Sequence, residues 1–495
     1  MLTKSDPAVI RSYFEDYSNL KGGNAEEAVF PASIEELAEF VKRANYKKMP
    51  LTISGGGTGT TGARIPFGGA IVSMEKFNSV LNISQVRMSA AVQAGVMVEE
   101  LKNLCEEKGL FYTSHPTEKS AFVGGTIATN ASGARSFKYG PTRKYVKGLK
   151  MVLANGETLD LKRGERIITK KDAALQLAGA LNIDMPLPTY RMPDVKNSAG
   201  YFVREEMDLI DLFIGQEGTL SIIVEAELGL VARPPKIFSS FVFFKNEADS
   251  WEFSKEIRAL SKDKVSQKSP VLDALSLEYF DNNALNLLRL ESSNVPGNAT
   301  AAIFFEQEVS GDEDALVEKW LNIISRHNAS LDDTWVAMNE KEAEGFTELR
   351  HSIPESVNEI VKRRGFQKLS TDISVPPNGL GEMMDFYVHT LKNIKIDHII
   401  FGHIGECHVH VNILPRSEEE FRKGKEACES FVMKGVSLGG SISAEHGVGK
   451  TRHKYLEMMY GAHGVLEMAR LKKALDPNWI LGPDNIFPRE TFNLV

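Results

Sequence analysis

The sequence predicts an α+β fold in more than one domain, and three observations carry that prediction. From Ala25 to about Pro234, short β-rich runs such as GAIVSM, SAAVQAG and GLKMVLANGETLDL alternate with glycine-dense loops, and helical periodicity is confined to pieces such as SIEELAEFVKRAN. The stretch ARPPK, Ala232 to Lys236, then interrupts the pattern with two prolines and marks a boundary. Beyond it, FSSFVFF and TAAIFFEQEV read as strands, while DSWEFSKEIRALSKD and DALVEKWLNIISRHN read as amphipathic helices able to cover one face of a sheet. A last helical run, HGVLEMARLKKALD, precedes the proline- and glycine-rich tail PNWILGPDNIFP. The expected division is therefore 1–234, 235–455 and 456–495.

Composition narrows the classes of function. The chain has 495 residues, 42% hydrophobic and 25% charged, enough to bury several cores. Its net charge of −8, without long like-charge blocks, argues against a nucleic-acid surface, which needs clustered Lys and Arg. No apolar run approaches the roughly 20 residues that span a bilayer, and the N-terminus lacks a signal-peptide pattern. The expected location is cytoplasmic or peripheral to a membrane. Three separated cysteines, Cys105, Cys407 and Cys428, suffice for neither a Cys₄ iron–sulfur cluster nor a disulfide framework.

The densest glycine cluster is LTISGGGTGTTGARIPFGG. Gly57, Gly59 and Gly62 satisfy G-x-G-x-x-G, but Pro66, Gly68 and Gly69 stand where a Rossmann helix should run, and a helix interior disfavours proline by about 3 kcal/mol. With no lysine after Gly62, a P-loop is excluded as well. A non-helical loop remains, whose backbone N–H groups can close around an anion such as a pyrophosphate. A second segment, SHPTEKSAFVGGTIATNASGARSFKYGPTR, leaves space beside small residues at Gly124, Gly125, Ala128, Ala131, Ser132 and Gly133. A third, GQEGTLSIIVEAEL, joins a glycine turn to an apolar strand. Together they supply the needs of a non-covalently held dinucleotide.

Six motifs in order and spacing, SGGGTGTTG, SAFVGGTIATNASGARSFKYGPTRKYVKGLKMVLANGE, KNSAGY, GQEGTLSIIVEAEL, GHIGECHVHVN and SAEHGVGKTR, resemble the FAD-binding type 4, PCMH-type, oxidoreductases of the vanillyl-alcohol oxidase superfamily. The branch resembled contains D-lactate dehydrogenase, the glycolate oxidase flavoprotein subunit and D-2-hydroxyglutarate dehydrogenase. The resemblance spans about Ala25 to Pro488. It implies an FAD domain over 1–234, a substrate or cap domain with an antiparallel sheet over 235–455, and a C-terminal segment, 456–495, that packs on the FAD domain and returns to the flavin. It further implies a pyrophosphate loop of Gly55, Gly56, Gly57, Thr58, Gly59, Thr60 and Thr61. Pro116, Thr117, Ser120, Gly124, Thr126, Asn130 and Ser132 would line the flavin and adenosine path, with Glu217, Gly218 and Ile223. The usual tail Asn-Pro-Gly-Lys here reads Gly482-Pro483-Asp484-Asn485, which puts the role of Asn485 in question. The glycine loop has no histidine to tether a flavin, so dissociable FAD is expected.

Three of the chain's 11 histidines fall in FGHIGECHVHVN. HVHVNIL alternates as a strand, so His408, His410 and Asn412 share a face, and His403 must arrive from the loop Gly402–Gly405. A loop histidine converging with a strand histidine is a common way to hold a metal, and SISAEHGVGKTR offers Glu445 with His446 beside it. The resemblance assigns His403, His410 and Glu445 to a divalent metal, often zinc, His446 to the catalytic base and Arg350 to the substrate carboxylate. Asn412 would steady the substrate. Glu406 and Cys407 replace the usual Asp-Gly, and His408 the usual asparagine; His408 is expected to be hydrogen-bonded beside the site and Cys407 to be a buried thiol. AEHGVGKT nearly matches a P-loop, but Ala444 stands at its first glycine and Glu445 would repel phosphate.

The implied chemistry is FAD-dependent oxidation of a D-2-hydroxy acid to the 2-oxo acid, with hydride transfer to flavin N5 and electrons passing to a quinone, cytochrome or electron-transfer flavoprotein rather than to NAD. Ser370 stands where the hydroxyglutarate enzymes carry a lysine, although Lys368 is near, and this disfavours a dicarboxylate; TDISVP is closer to the D-lactate branch and Asn412 to the hydroxyglutarate branch, so D-lactate or a similarly short acid is expected, with D-2-hydroxyglutarate and glycolate as alternatives. A flavin-dependent alkyl transferase and a non-catalytic flavoprotein subunit are the rival readings. The sequence leaves room for a homodimer.

Overall fold

The computed structural model describes residues 1–114, 116–176, 182–262, 272–309 and 311–495. Helix Ile34–Lys47 shows how local sequence sets the amino-terminal part. Ser33 Oγ accepts the Glu36 N–H at 3.2 Å and the Glu36 carboxylate accepts the Ala32 N–H at 2.9 Å, so two N-terminal donors are satisfied reciprocally. Leu37, Phe40, Val41 and Ala44 bury its apolar stripe. In the adjoining sheet, Glu27–Phe30, Ala70–Ser73 and Leu51–Ser54 run parallel, with Leu2–Lys4 antiparallel at one edge. A second, antiparallel sheet has the order Val80–Ser84, Ser89–Gln93, Ile222–Gly229, Val146–Val152, Thr158–Lys162.

The third sheet is the largest and is antiparallel throughout. Its order is Trp335–Val336, Ile237–Phe244, Ala301–Glu308, Ala274–Asp281, His398–Gly402, His408–Ile413 and Leu369–Ser370, and Ile373–Ser374 also pairs with His408–Ile413. Phe241 to Phe244 are apolar at consecutive positions because both faces of this sheet are covered. Val242 and Phe244 join the core that contains Phe253 and Trp320, from helices Glu247–Lys262 and Glu313–Arg326, whereas Phe241 and Phe243 join Ile353 and Val357 from helix Glu340–Arg364. The sequence reading supplied helices for one face; the unbroken apolar run is the signal for the second.

The carboxyl-terminal chain returns to the amino-terminal part. Helix His453–Leu475 begins ten residues before the expected run and is broken at Gly461, where φ is 71°. Its tail lies along Leu51, whose N–H donates to Ile480 O at 2.6 Å and whose carbonyl accepts from Gly482 N at 2.9 Å. Lys472, almost fully buried, anchors the junction. Its ammonium bonds Thr219 O at 2.6 Å, Leu481 O at 2.9 Å and the Asp476 carboxylate, which itself accepts the N–H groups of Ile480 and Leu481. Among the described residues, no helix is long and apolar enough to cross a membrane.

Removing one partner of such a buried pair strands the other charge. Lys472→Met is expected to lower the free energy of unfolding by about 3–5 kcal/mol, read as a lower midpoint in urea titration.

Candidate active site

The histidine-rich stretch is a hairpin at one end of the large sheet. Strand His398–Gly402 pairs with Ala274–Asp281 through Tyr279↔Gly402 and Phe280↔Phe401, which sets Glu278 beside the residue that follows the strand, His403. The chain then reverses through a 3₁₀ turn, Ile404–Glu406, with Cys407 in the left-handed region at φ 54°, and enters strand His408–Ile413. Opposite the hairpin stands the loop carrying Glu445. His403 Nε2 lies 3.4 Å from Glu445 Oε2, while His410 Nε2 lies 3.2 Å and His446 Nε2 3.5 Å from Glu445 Oε1. One ligand atom from each of His403, His408, His410 and Glu445 falls within 4.8 Å of the others, and the same holds for Asp372, His410, Glu445 and His446. Two imidazoles and a carboxylate so gathered suit a divalent transition ion.

Four residues that sequence reasoning did not single out hold this group in place. Glu278 accepts from His403 Nδ1 at 2.6 Å and from Arg350 Nη2 at 2.9 Å, and the Thr371 carbonyl lies 3.2 Å from His410 Nδ1. Both contacts turn Nε2 of the ring toward Glu445, the orientation that a carboxylate or carbonyl behind a metal-binding histidine imposes. Asp372 Oδ2 accepts from Arg452 at 2.6 Å, Ser443 Oγ at 2.8 Å and His446 N at 3.0 Å, and lies 3.2 Å from His446 Nδ1. Lys196, from the KNSAGY motif, is 4% exposed and bonds Glu445 Oε2 at 2.8 Å and Glu406 Oε2 at 2.7 Å. Glu406, which replaces the usual aspartate, is thus the second counter-ion of a buried lysine.

The charges of these groups are interlocked. Burial alone would neutralise Glu445, but Lys196 and His403 hold its carboxyl well below the usual range. Burial likewise disfavours the imidazolium of His403, yet Glu278 and Glu445 outweigh it and raise the pKa to about 9. Glu278 is driven down to about 2 by His403 and Arg350 against its own burial. Burial, with His410 beside it, pushes His408 down to about 3, and burial also lowers His410.

The remaining expected residues divide by location. Arg350 reaches Thr117 Oγ1 at 3.0 Å as well as Glu278, so three of its five N–H groups are committed. Asn412 is buried two residues beyond His410, whose carbonyl it approaches at 3.5 Å. Cys407 is buried, and its thiol is pushed up to about 11 by burial. Lys368 turns to Asn358 Oδ1, at 3.4 Å, on helix Glu340–Arg364, and Ser370 is exposed.

Gly55 to Thr60 form the rim of a cradle. Among the described residues, no protein acceptor meets the backbone N–H groups from Gly56 to Thr60, which leaves a row of donors for an anion. Gly56 abuts Ser120 O, where a Cβ would stand at 2.5 Å, and Gly57 has φ +80°. Helix Val123–Ala128 forms the floor: Gly124 is pressed on Ala94, Thr126 bonds back to Val123 O, and the face at Gly125 is open, with nothing within 4 Å of an added Cβ. Ser132 Oγ is buried without a partner, and Asn130 Oδ1 receives the Arg143 N–H at 3.0 Å. Ile223 is buried within strand Ile222–Gly229. Unpaired amides, an orphaned hydroxyl and an open small-residue face fit a bound dinucleotide.

Glu217 faces the other way. Its carboxylate accepts from Val448 N and Gly449 N at 2.8 and 2.7 Å, while its carbonyl accepts from Asn485 Nδ2, so residue, tail and Glu445 loop are tied together beside Gly218. The cradle meets the histidine cluster at this same loop. Lys450 N donates to Thr61 O at 2.9 Å, and Thr61 Oγ1 to His446 O at 3.4 Å.

Comparison with known families agrees with this arrangement. Residues 25–162 match the FAD binding domain, and residues 257–486 match the FAD linked oxidases, C-terminal domain. The chain belongs to the FAD-linked oxidases. It is 28% identical to glycolate oxidase subunit GlcD of Bacillus subtilis, over 94% of this chain and 89% of that protein. The D-2-hydroxyglutarate dehydrogenase of Stutzerimonas stutzeri is 29% identical, over 98% and 96%, and the D-lactate dehydrogenase of Anaerostipes hadrus 28%, over 93% and 89%. Solved structures share the fold: a 4-ethylphenol oxidase from Gulosibacter chungangensis, at TM-score 0.69 and 16% identity, covers 99% of this chain and 95% of its own, and an alkyldihydroxyacetonephosphate synthase, at 0.66 and 18%, covers 97% and 82%. This FAD-linked oxidoreductase therefore places its α+β cap sheet and its C-terminal segment against the flavin domain.

Two outcomes are expected. A cation held by His403 would have to displace the proton that this ring keeps up to about pH 9, so apparent Zn²⁺ affinity, measured by chelator competition, should climb by about tenfold per pH unit below pH 9 and level off above it. Lys196→Met leaves Glu406 and Glu445 without their buried counter-charge and should destabilise the metal-free protein by about 3 kcal/mol in urea titration, with a smaller loss in excess Zn²⁺.

Proposed function

We propose that this oxidoreductase converts a D-2-hydroxy acid, D-lactate or a similarly short acid, to the 2-oxo acid and passes the electrons to a quinone, cytochrome or electron-transfer flavoprotein. The supporting observation is that His403, His410 and Glu445 converge on a loop that also touches the glycine cradle, so the cation-binding residues adjoin the flavin-binding residues. The names of the relatives, a glycolate oxidase subunit and dehydrogenases of D-lactate and D-2-hydroxyglutarate, support the substrate class.

When bound, FAD supplies a two-electron acceptor, and the divalent cation, zinc in this reading, supplies charge that acidifies an alcohol. His403, His410 and Glu445 hold the cation; Gly55 to Thr61, with the segment Pro116 to Ser132, hold the flavin. His446 is the base. Its side chain is 32% exposed, more than those of His403, His410 or Glu445, so Nε2 can meet substrate, while Asp372 Oδ2 holds the residue by accepting its backbone N–H at 3.0 Å. Arg350 keeps two N–H groups for the substrate carboxylate, and Glu278 and Thr117 fix the plane of its guanidinium. Lys368 is directed at Asn358, which leaves Ser370 as the local group and favours a short acid over a dicarboxylate.

Anaerobic addition of D-lactate should bleach the oxidised flavin band, whereas L-lactate should not; bleaching by L-isomers alone, or by no hydroxy acid, overturns the reading. D-2-hydroxyglutarate and glycolate, in parallel, rank the substrate. His446→Gln should slow reduction by roughly 10²- to 10⁴-fold while flavin and metal contents stay unchanged.

A further inference from the structure

We infer that His408 is a fourth protein ligand of the cation, so that the chain offers three imidazoles and one carboxylate rather than two and one. The inference rests on the proposed cation site and adds a residue that the family resemblance does not assign to it.

His408 is fully buried, and neither ring nitrogen has a hydrogen-bond partner. Leaving a buried polar atom unpaired is costly, so an imidazole with two such atoms needs a physical reason to be there. Its closest polar neighbour, Asp372 Oδ1, is 2.9 Å from Nε2, but the two are misaligned and Oδ1 is itself unpaired. The other oxygen of Asp372 is already occupied by Arg452, Ser443 and His446 N.

Geometry supplies the alternative partner. Strand alternation puts His408 on the face of His410, with ring centroids 4.5 Å apart, and His403 is 5.5 Å away. One ring nitrogen of His408 lies within 4.8 Å of the donor atoms of His403, His410 and Glu445. Donors sharing one ion at about 2.1 Å stand roughly 3 to 4.2 Å apart, so shifts of a few tenths of an ångström bring all four onto a common centre. The family's asparagine at this position is too short to offer the same reach with a softer donor. Three imidazoles bias the site toward zinc, cobalt or nickel and away from magnesium and manganese. In a six-coordinate ion they still leave two positions, enough for the hydroxyl and carboxylate oxygens of a 2-hydroxy acid.

X-ray absorption spectroscopy of the zinc- and cobalt-loaded flavoprotein tests this without any substitution, because imidazole rings give countable outer-shell scattering. Three imidazoles per ion are expected in the natural protein and two in His408→Asn. The variant, checked by its flavin content, should bind Zn²⁺ roughly 10- to 100-fold more weakly, with its preference for Zn²⁺ over Mn²⁺ reduced. Two imidazoles in the natural protein, or an unchanged Zn²⁺ affinity in both His408→Asn and His408→Gln, overturn the inference and leave the three-ligand site standing. Failure of the natural protein to take up any ion overturns both.

Discussion

A single buried carboxylate, Glu445, sets the terms for everything around it. Left alone at its burial it would take up a proton; here it stays ionised because Lys196 bonds one oxygen and three histidines surround the pair. Lys196 in turn would be a costly unbalanced cation beside the proposed metal site without Glu406 on its other side. The unusual Glu406 therefore has an electrostatic explanation: it lets Lys196 position Glu445 while drawing part of the lysine's field away from the centre of the cluster.

The second constraint is mechanical. The loop Ser441–Lys450 carries Glu445 and His446, yet few of its own contacts are local. Ser441 N and Ala444 N bond Ser374 O and Asp372 O from the cap, while Val448 N, Gly449 N and Lys450 N bond Glu217 and Thr61 from the flavin side. Gly449, at φ +52°, would place a Cβ 2.3 Å from Thr61 O, so the glycine is demanded by close backbone approach. One short segment thus registers the cation-binding residues against the cradle, and neither can move far without the other.

This division explains what the sequence disclosed. Motifs whose chemistry lies in backbone and spacing were legible: the glycine loop, the alternation of HVHVN, and the pairing of Glu445 with His446. Glu278 was not, because it sits in a strand, ALSLEYFD, whose apolar character reads as core, and only the pairing of that strand with Phe401–Gly402 carries it beneath His403. Asp372 is similarly concealed in TDISVP. Lys196 could have been found, since a lysine opening KNSAGY is an odd resident for a buried segment, but its two glutamate partners are 210 and 249 residues away. The two-sided covering of the large sheet was written in the missing alternation of FSSFVFF, a feature that says a strand is buried without saying by what.

Charge also bears on the size of the substrate. The connected buried set holds four carboxylates, Glu278, Asp372, Glu406 and Glu445, against three permanent cations, Lys196, Arg350 and Arg452. The proton on His403 makes the metal-free set neutral near pH 7. A divalent cation replacing that proton leaves one net positive charge, and a monoanionic hydroxy acid restores neutrality, whereas a dicarboxylate overshoots unless it brings its second charge to an extra cation. Lys368 is the nearby candidate in sequence, but burial lowers its pKa and its ammonium is turned to Asn358. The balance of buried charge and the absence of a lysine at Ser370 thus both support the proposed short acid.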